Sequence, residues 1–283
     1  MKISPVACLA LIVGVLVFSS VAVAQNAQRP KNDPSQSIPA SRFAVLSKNL
    51  GTGGPAPKHD VLGVWAGPLE AEKGEVPPMT PLGQKLFSMR KTEKKDGWAN
   101  ANDPWKTCDP FGVPRSAVNE IRGVSFSAMP NKIVVLHQYN RVWREAWMDG
   151  RALPKNVGTK GGPDPTWYGY SVGHWDGDNT LVIDTTGSDD SEWLDPRGYP
   201  HSLQGVFEER YTRVDHNHLE MTVTVDDPKI YTKPFVLGTS KFVWVPSQES
   251  EEQICVPSEA ISYVNLISIP VAGEKEQKNN KQK

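Results

Sequence analysis

WYGYSVGHWDGDNTLVIDTT, residues 167–186, decides how this chain is read. Two runs of strand composition, 167–175 and 180–186, flank Asp176-Gly177-Asp178-Asn179. Asp and Gly between β-rich runs signal a hairpin, because glycine reaches positive φ without a Cβ clash. Similar runs lie on both sides. Residues 121–127, 132–139 and 141–148 come before, with turns at Met129-Pro130-Asn131 and Asn140. Residues 203–214, 218–226 and 235–246 follow, with 253–255 and 262–269 expected to finish the sheet. At 218–226, Leu219, Met221, Val223 and Val225 alternate with His218, Glu220, Thr222, Thr224 and Asp226, so one face is buried and the other wet. The expected fold is mainly β: an antiparallel up-and-down barrel or strongly curled sheet, lipocalin-like, with one or two peripheral helices.

The rest of the chain frames this domain. Lys2, an apolar run over 6–23 and Ala22-Val23-Ala24 read as a signal peptide over 1–24, which implies a periplasmic or secreted location. Residues 25–58, rich in Pro, Ser, Asn and Gln, read as a linker with one short helical turn near 43–50. A single β-rich domain is expected over 59–272, beginning with a short strand at 61–65, and a polar disordered tail over 273–283. In the helix candidate within 77–95, Thr80 caps, Pro81 takes the first position, and Leu82, Leu86 and Met89 share a face above a basic end at 91–95. Leader removal takes the net charge from −1 to about −2, with acids and bases interspersed. That excludes a nucleic-acid partner, and no membrane span is expected after the leader is removed. The sequence leaves the oligomeric state open. Cys108 and Cys255 remain after processing, and an exported chain with two cysteines favours their disulfide over two buried thiols.

Several blocks carry a resemblance. Gly63-Val64-Trp65, Met148-Asp149-Gly150-Arg151, the 167–178 stretch, Glu209-Arg210-Tyr211-Thr212-Arg213 and Val225-Asp226-Asp227-Pro228 resemble, in this order, a large family of exported, uncharacterised β-rich proteins of soil and marine bacteria. The resemblance covers roughly residues 60–260. It implies export and a shared β fold, and no chemistry. The Gly-x-Trp of the first strand and the meander are loosely similar to lipocalin-like barrels.

Candidate chemistry rests on strand faces. Arg141, Trp143, Glu145 and Trp147 share one face. If it points inward, Glu145 sits between two indoles with its pKa raised, as a general acid or base requires. If it points outward, Glu145 pairs with a cation in water. Phe207, Glu209 and Tyr211 repeat the pattern, and Glu209 is either a second interior carboxylate or a structural partner of Arg144, Arg210 or Arg213. Arg151 and His201 are the candidate charge stabilisers. Trp143, Trp147, Trp167, Tyr168, His174, Trp175, Asp184 and Tyr211 are candidate ligand contacts, and with Trp65 they supply an aromatic lining or a packed core. A Ser202–His201–Asp184 arrangement lacks the Gly-x-Ser-x-Gly elbow. No cofactor or metal is expected. His137, His174 and His201 lie on separate elements, His216 and His218 flank a turn tip, and Asp176, Asp178 and Asn179 form only half of a calcium loop. Three functions remain open: a binder of a small, partly apolar organic ligand in the barrel, an acid/base hydrolase, lyase or isomerase in the same cavity, or an envelope-associated protein whose barrel is filled.

Overall fold

The computed structural model describes residues 40–118, 123–248 and 253–273, all within a compact unit spanning Ile38–Lys283. The expected leader, residues 25–39 of the linker and 274–283 of the tail lie outside the described residues.

Alternating side chains make the walls. Nine strands run in order: β1 (Gly63–Lys73), β2 (Gly123–Met129), β3 (Lys132–His137), β4 (Val142–Trp147), β5 (Tyr170–Asp176), β6 (Thr180–Thr186), β7 (Val206–Arg213), β8 (His218–Asp226) and β9 (Phe235–Trp244). Each pairs with the next, and β1 pairs with β9, so the sheet closes into a barrel. The β3–β4 turn places Asn140 and Arg141 at φ 55° and 49°, the left-handed pair that a tight hairpin needs. Gly177 serves the β5–β6 turn at φ 66°. Every pairing is antiparallel except β4–β5, which is parallel. Parity requires this. Strand direction reverses at each antiparallel joint and must return to itself around the ring, so nine joints cannot all be antiparallel. The parallel joint is short, matching only Ala146 with Ser171 and Trp147 with Val172, and residues 148–169 form the long crossover such a pairing needs.

The interior is a packed core. Trp65, Phe126, Leu181, Ile183, Phe207, Tyr211, Met221 and Phe242 meet there, with Phe126 edge-on to Tyr211 at 4.9 Å. Trp65 donates its indole N–H to the Val61 carbonyl at 2.7 Å. Most of the expected aromatic lining is elsewhere: Trp143 is 59% exposed, and Trp147 and Trp167 are also partly in solvent. Trp175 packs against the core from the rim, stacked on His59 at 5.1 Å.

Peripheral elements depart further from the pattern. Helix α1 (Ala40–Leu50) is longer than the short helical turn expected near 43–50 in the linker, and its end is tied down, because Asn217 donates to the carbonyls of Leu50 and Gly51. In α2 (Pro81–Ser88) the Thr80 hydroxyl caps by accepting from the Gly83 N–H at 3.2 Å, with Pro81 at the first position. Its contact face differs, however. Gly83 approaches so closely that a Cβ there would lie 2.5 Å from the Ile230 carbonyl oxygen, Leu86 packs inward, and Leu82 and Met89 are exposed. The expected basic end belongs in part to a separate short helix, α3 (Glu93–Asp96).

A 3₁₀ turn (Pro104–Thr107) and α4 (Arg115–Val118) precede β2. The expected last strands are replaced by a helix. Gln253 makes a single bridge to Tyr139, and α5 (Pro257–Tyr263) continues as a π-type turn over Val264–Ser268. Pro257 starts that helix, and the short apolar run after it has no period-2 alternation to hold it in a sheet. Among the described residues no helix is long and apolar enough to cross a membrane.

Cys108 and Cys255 are disulfide-bonded, 147 residues apart in sequence. Closing so long a loop restricts the unfolded chain by roughly 4–5 kcal/mol on the chain-entropy estimate. Replacing both with Ser should therefore lower the midpoint of urea unfolding by several kcal/mol equivalent, with the far-UV spectrum of the barrel retained. An unchanged midpoint would show that the bond adds nothing to stability.

Candidate functional site

Where β4 and β5 separate, the wall opens. A cleft of about 450 Å³ lies there, lined among others by Trp143, Arg144, Trp147, Arg151, Tyr168 and Tyr170. Arg144 and Ala146 point inward on β4, so Trp143, Glu145 and Trp147 point out. Glu145 is ion-paired with Lys132, whose ammonium sits 4.0 Å from the Trp147 ring centroid. The Arg151 guanidinium stacks 3.4 Å from the same centroid and is forked onto the Asp149 carboxylate at 2.9 and 2.6 Å. The outer rim is thus aromatic, with Trp147 packed between two cations that are each paired with a carboxylate and Trp143 largely exposed.

Behind the cleft is a buried polar group. Arg144 donates to the Glu209 carboxylate, to Ser171 Oγ at 3.3 Å, to Thr185 Oγ1 at 3.5 Å and, through Nε, to His137 Nε2 at 3.3 Å. The Tyr211 hydroxyl donates to Glu209 at 2.8 Å. Burial works against the Arg144 charge, but Glu209 overcomes it and leaves the guanidinium pKa raised. Burial and then the Arg144 charge push His137 well below its usual value, so it accepts as a neutral imidazole. Arg144 and Tyr211 donate to its two oxygens, so the Glu209 carboxyl group is tied into the wall rather than presented to the cleft. Glu145 and Glu209 lie on opposite faces of the wall, so the expected interior carboxylate pair does not form.

The remaining candidates are dispersed. His174 and Asp184 lie on the outer face of the β5–β6 hairpin. Asp184 is held above the usual carboxylate range by partial burial and by Glu208. Ser202 bonds to Asp227 through its N–H at 2.6 Å and its hydroxyl at 3.0 Å, so its carboxylate partner is not Asp184. His201 is buried edge-on to Phe207 at 5.3 Å, its Nε2 without a partner, and burial pushes its pKa down to about 4. It therefore does not share the cleft with Arg151. No three His, Cys, Asp or Glu side chains among the described residues are grouped to hold a metal.

A second polar group went unread in the sequence. Arg115 makes a bidentate pair with Asp103 at 2.8 and 2.8 Å and lies 4.8 Å from the Phe111 centroid. Beside it Glu192 is 1% exposed, and neither carboxylate oxygen has a hydrogen-bond partner. Burial pushes its pKa up to about 8; Arg115 opposes this, while Asp103 and Asp109 add to it. Arg90, lowered by burial to about 10, donates to the Glu192 backbone carbonyl at 3.0 Å. The available signal was Trp193-Leu194, an apolar pair inside a Gly/Pro loop, which draws its neighbour inward.

Two stability predictions follow from these burials. Arg144→Met leaves the Glu209 charge buried and unpaired and should cost about 3–5 kcal/mol; the Arg144→Met/Glu209→Gln pair should recover part of that loss. Additive costs in the double-mutant cycle would mean that the two groups are not coupled. Glu192 has a folded pKa above its unfolded value, so its contribution is fully present below about pH 4.5 and is lost as pH rises through about 8. His201 has the opposite sign: its contribution is present above 6.5 and lost as pH falls toward 4. Comparing Glu192→Gln with wild type isolates the first. The variant should gain on the order of 2–4 kcal/mol relative to wild type between pH 5 and 9. Parallel stability curves would contradict the burial of an acid there. In comparisons with known proteins, no family model, no curated protein and no solved structure matches this chain.

Proposed function

We propose that this is an exported protein that binds a small, partly apolar organic molecule, and that the ligand sits in the cleft at the β4–β5 joint rather than inside the barrel. The observation that carries this reading is the joint itself. It leaves a concavity of about 450 Å³, within the usual range for small-molecule sites, walled by Trp143, Trp147 and Tyr168 with Arg151 fixed at the rim. Flat rings favour a planar or sugar-like body. The disulfide is in keeping with an oxidising compartment. A binder is favoured over an acid/base enzyme because Glu145 faces out in an ion pair and Glu209 is locked to Arg144. The filled interior supports a second reading, an envelope-associated scaffold that holds no ligand.

Native mass spectrometry of the mature protein separates the two. On the binding reading a small molecule co-purifies, and Trp147→Ala weakens its retention by about 10- to 100-fold, as loss of an aromatic anchor does. If no molecule is retained, or Trp147→Ala and Arg151→Ala leave retention unchanged, the cleft reading fails and the scaffold reading stands.

A further inference from the structure

The helix that replaces the expected last strands is apolar on its outside. From α5 the helical chain runs on to residue 273. Ala260, Val264, Ser268 and Ala272, spaced by four, form its partly buried row against the body of the protein. Leu266 is 75% exposed, and Ile261, Tyr263, Ile267, Ile269 and Val271 range from 45% to 52%. Glu259 is the single charged residue between 253 and 273. An apolar surface this continuous marks a place where the protein meets something.

Shape and charge indicate what it meets. A partner helix takes up an apolar stripe on the order of 100° wide. At about 100° per residue, the six exposed side chains fan around more than half of the helix circumference. A rigid partner covers part of such a fan, whereas fluid lipid conforms to all of it. The helical run is about 25 Å long at 1.5 Å per residue, short of the roughly 30 Å hydrocarbon core of a bilayer. Among the described residues no helix is long and apolar enough to cross a membrane, so this one would lie in the interface. Tyr263, with an apolar ring and a polar tip, suits the headgroup level. Lys91, Lys94 and Lys95 at α3 are balanced by Glu93, Asp96 and Glu259. The surplus charge is in residues 274–283, where Lys275, Lys278, Lys281 and Lys283 outnumber Glu274 and Glu276. Chain continuity brings those lysines to the same surface, where anionic headgroups attract them.

We propose that residues 257–273 are an interfacial anchor that seats the mature protein on an anionic phospholipid bilayer. Cys255, just before the helix, is bonded to Cys108, so a helix held by lipid holds the barrel with it. The anchor does not depend on the β4–β5 cleft and shares no residue with it.

Sedimentation of the whole mature protein with phosphatidylcholine vesicles, with and without phosphatidylglycerol, tests this. Saturable binding to the phosphatidylglycerol vesicles is expected, at least about fivefold tighter than to phosphatidylcholine alone. Added salt should shrink that preference. Leu266→Ser/Ile267→Ser should weaken binding at least about tenfold and leave the thermal unfolding midpoint unchanged, because both side chains are in solvent. Replacing the four tail lysines with Gln should equalise the two vesicle types, and Trp147→Ala in the cleft should alter neither. The proposal is overturned by no saturable binding to phosphatidylglycerol vesicles, by equal binding to both types, or by binding that survives Leu266→Ser/Ile267→Ser. It is overturned equally by a dimer in sedimentation equilibrium that those substitutions dissolve, since a second copy would then cover the helix.

Discussion

One side chain, Arg144, holds five consecutive strands together, β3 to β7. From β4 its guanidinium reaches Ser171 on β5, Thr185 on β6 and Glu209 on β7, and it does so where the backbone ladder supplies only two residue pairs. A ring of nine strands with antiparallel neighbours must contain a parallel joint, and here that joint is short. Side-chain hydrogen bonds inside the wall make the connection that peptide groups do not. Burying a guanidinium is costly unless its charge and its donors are met, and the Glu209 carboxylate, two hydroxyls and a neutral imidazole meet them. An apolar residue at position 144 would pack the interior but tie no strand to another.

The same joint produces the cleft. Parallel strands cannot be linked by a tight turn, so the chain needs the crossover over residues 148–169. Arg151, Ala152 and Pro154 on that crossover form one side of the cleft, and Tyr168–Tyr170 return along the other. Lipocalin-like barrels suggest a ligand inside the walls. In this chain the interior is filled by large side chains such as Trp65, Phe207 and Tyr211, and a concavity lies instead where the wall parts. Fold parity and candidate site thus have one cause.

Much of this architecture was legible and some was not, for reasons visible in particular residues. The strands at Thr180–Thr186 and His218–Asp226 match their sequence limits, the first because a β-rich run follows the Asp-Gly-Asp-Asn turn and the second because clean alternation marks a half-buried strand. Thr80-Pro81 fixed the start of α2 through cap chemistry, which is local. On β4 the alternation points the wrong way. Trp143 and Trp147 are the largest residues of the strand, yet they face out, Trp147 under Lys132 and Arg151 and Trp143 largely in solvent, while the inward set contains an arginine. Only Glu209, 65 residues later, makes that arginine tolerable, and no local window contains both. The final apolar stretch was ambiguous for another reason: a short run of Ile, Val and Leu satisfies a strand or a helix until Pro257 and the bridge at Gln253 decide it.

The barrel end covered by the segment around Cys108 and the 187–201 loop obeys different rules from the walls. Irregular backbone normally runs over the surface, since burying it strands polar groups. In these segments Asp103, Arg115, Ser116, Ser188, Glu192 and His201 are all buried, and several of their polar atoms have no partner. Along β6–β8 the inward residues are almost all apolar, and the two main exceptions, Glu209 and Arg213, are hydrogen-bonded. A fold that satisfies the interior polar groups of β6–β8 and leaves several open at one end is not short of ways to satisfy them. Departures from local rules gather where a protein is shaped by something other than stability. Here they gather in the segments packed around the Cys108–Cys255 disulfide, so the cap is held by a covalent tie and by buried charge where the walls are held by alternation and the backbone ladder.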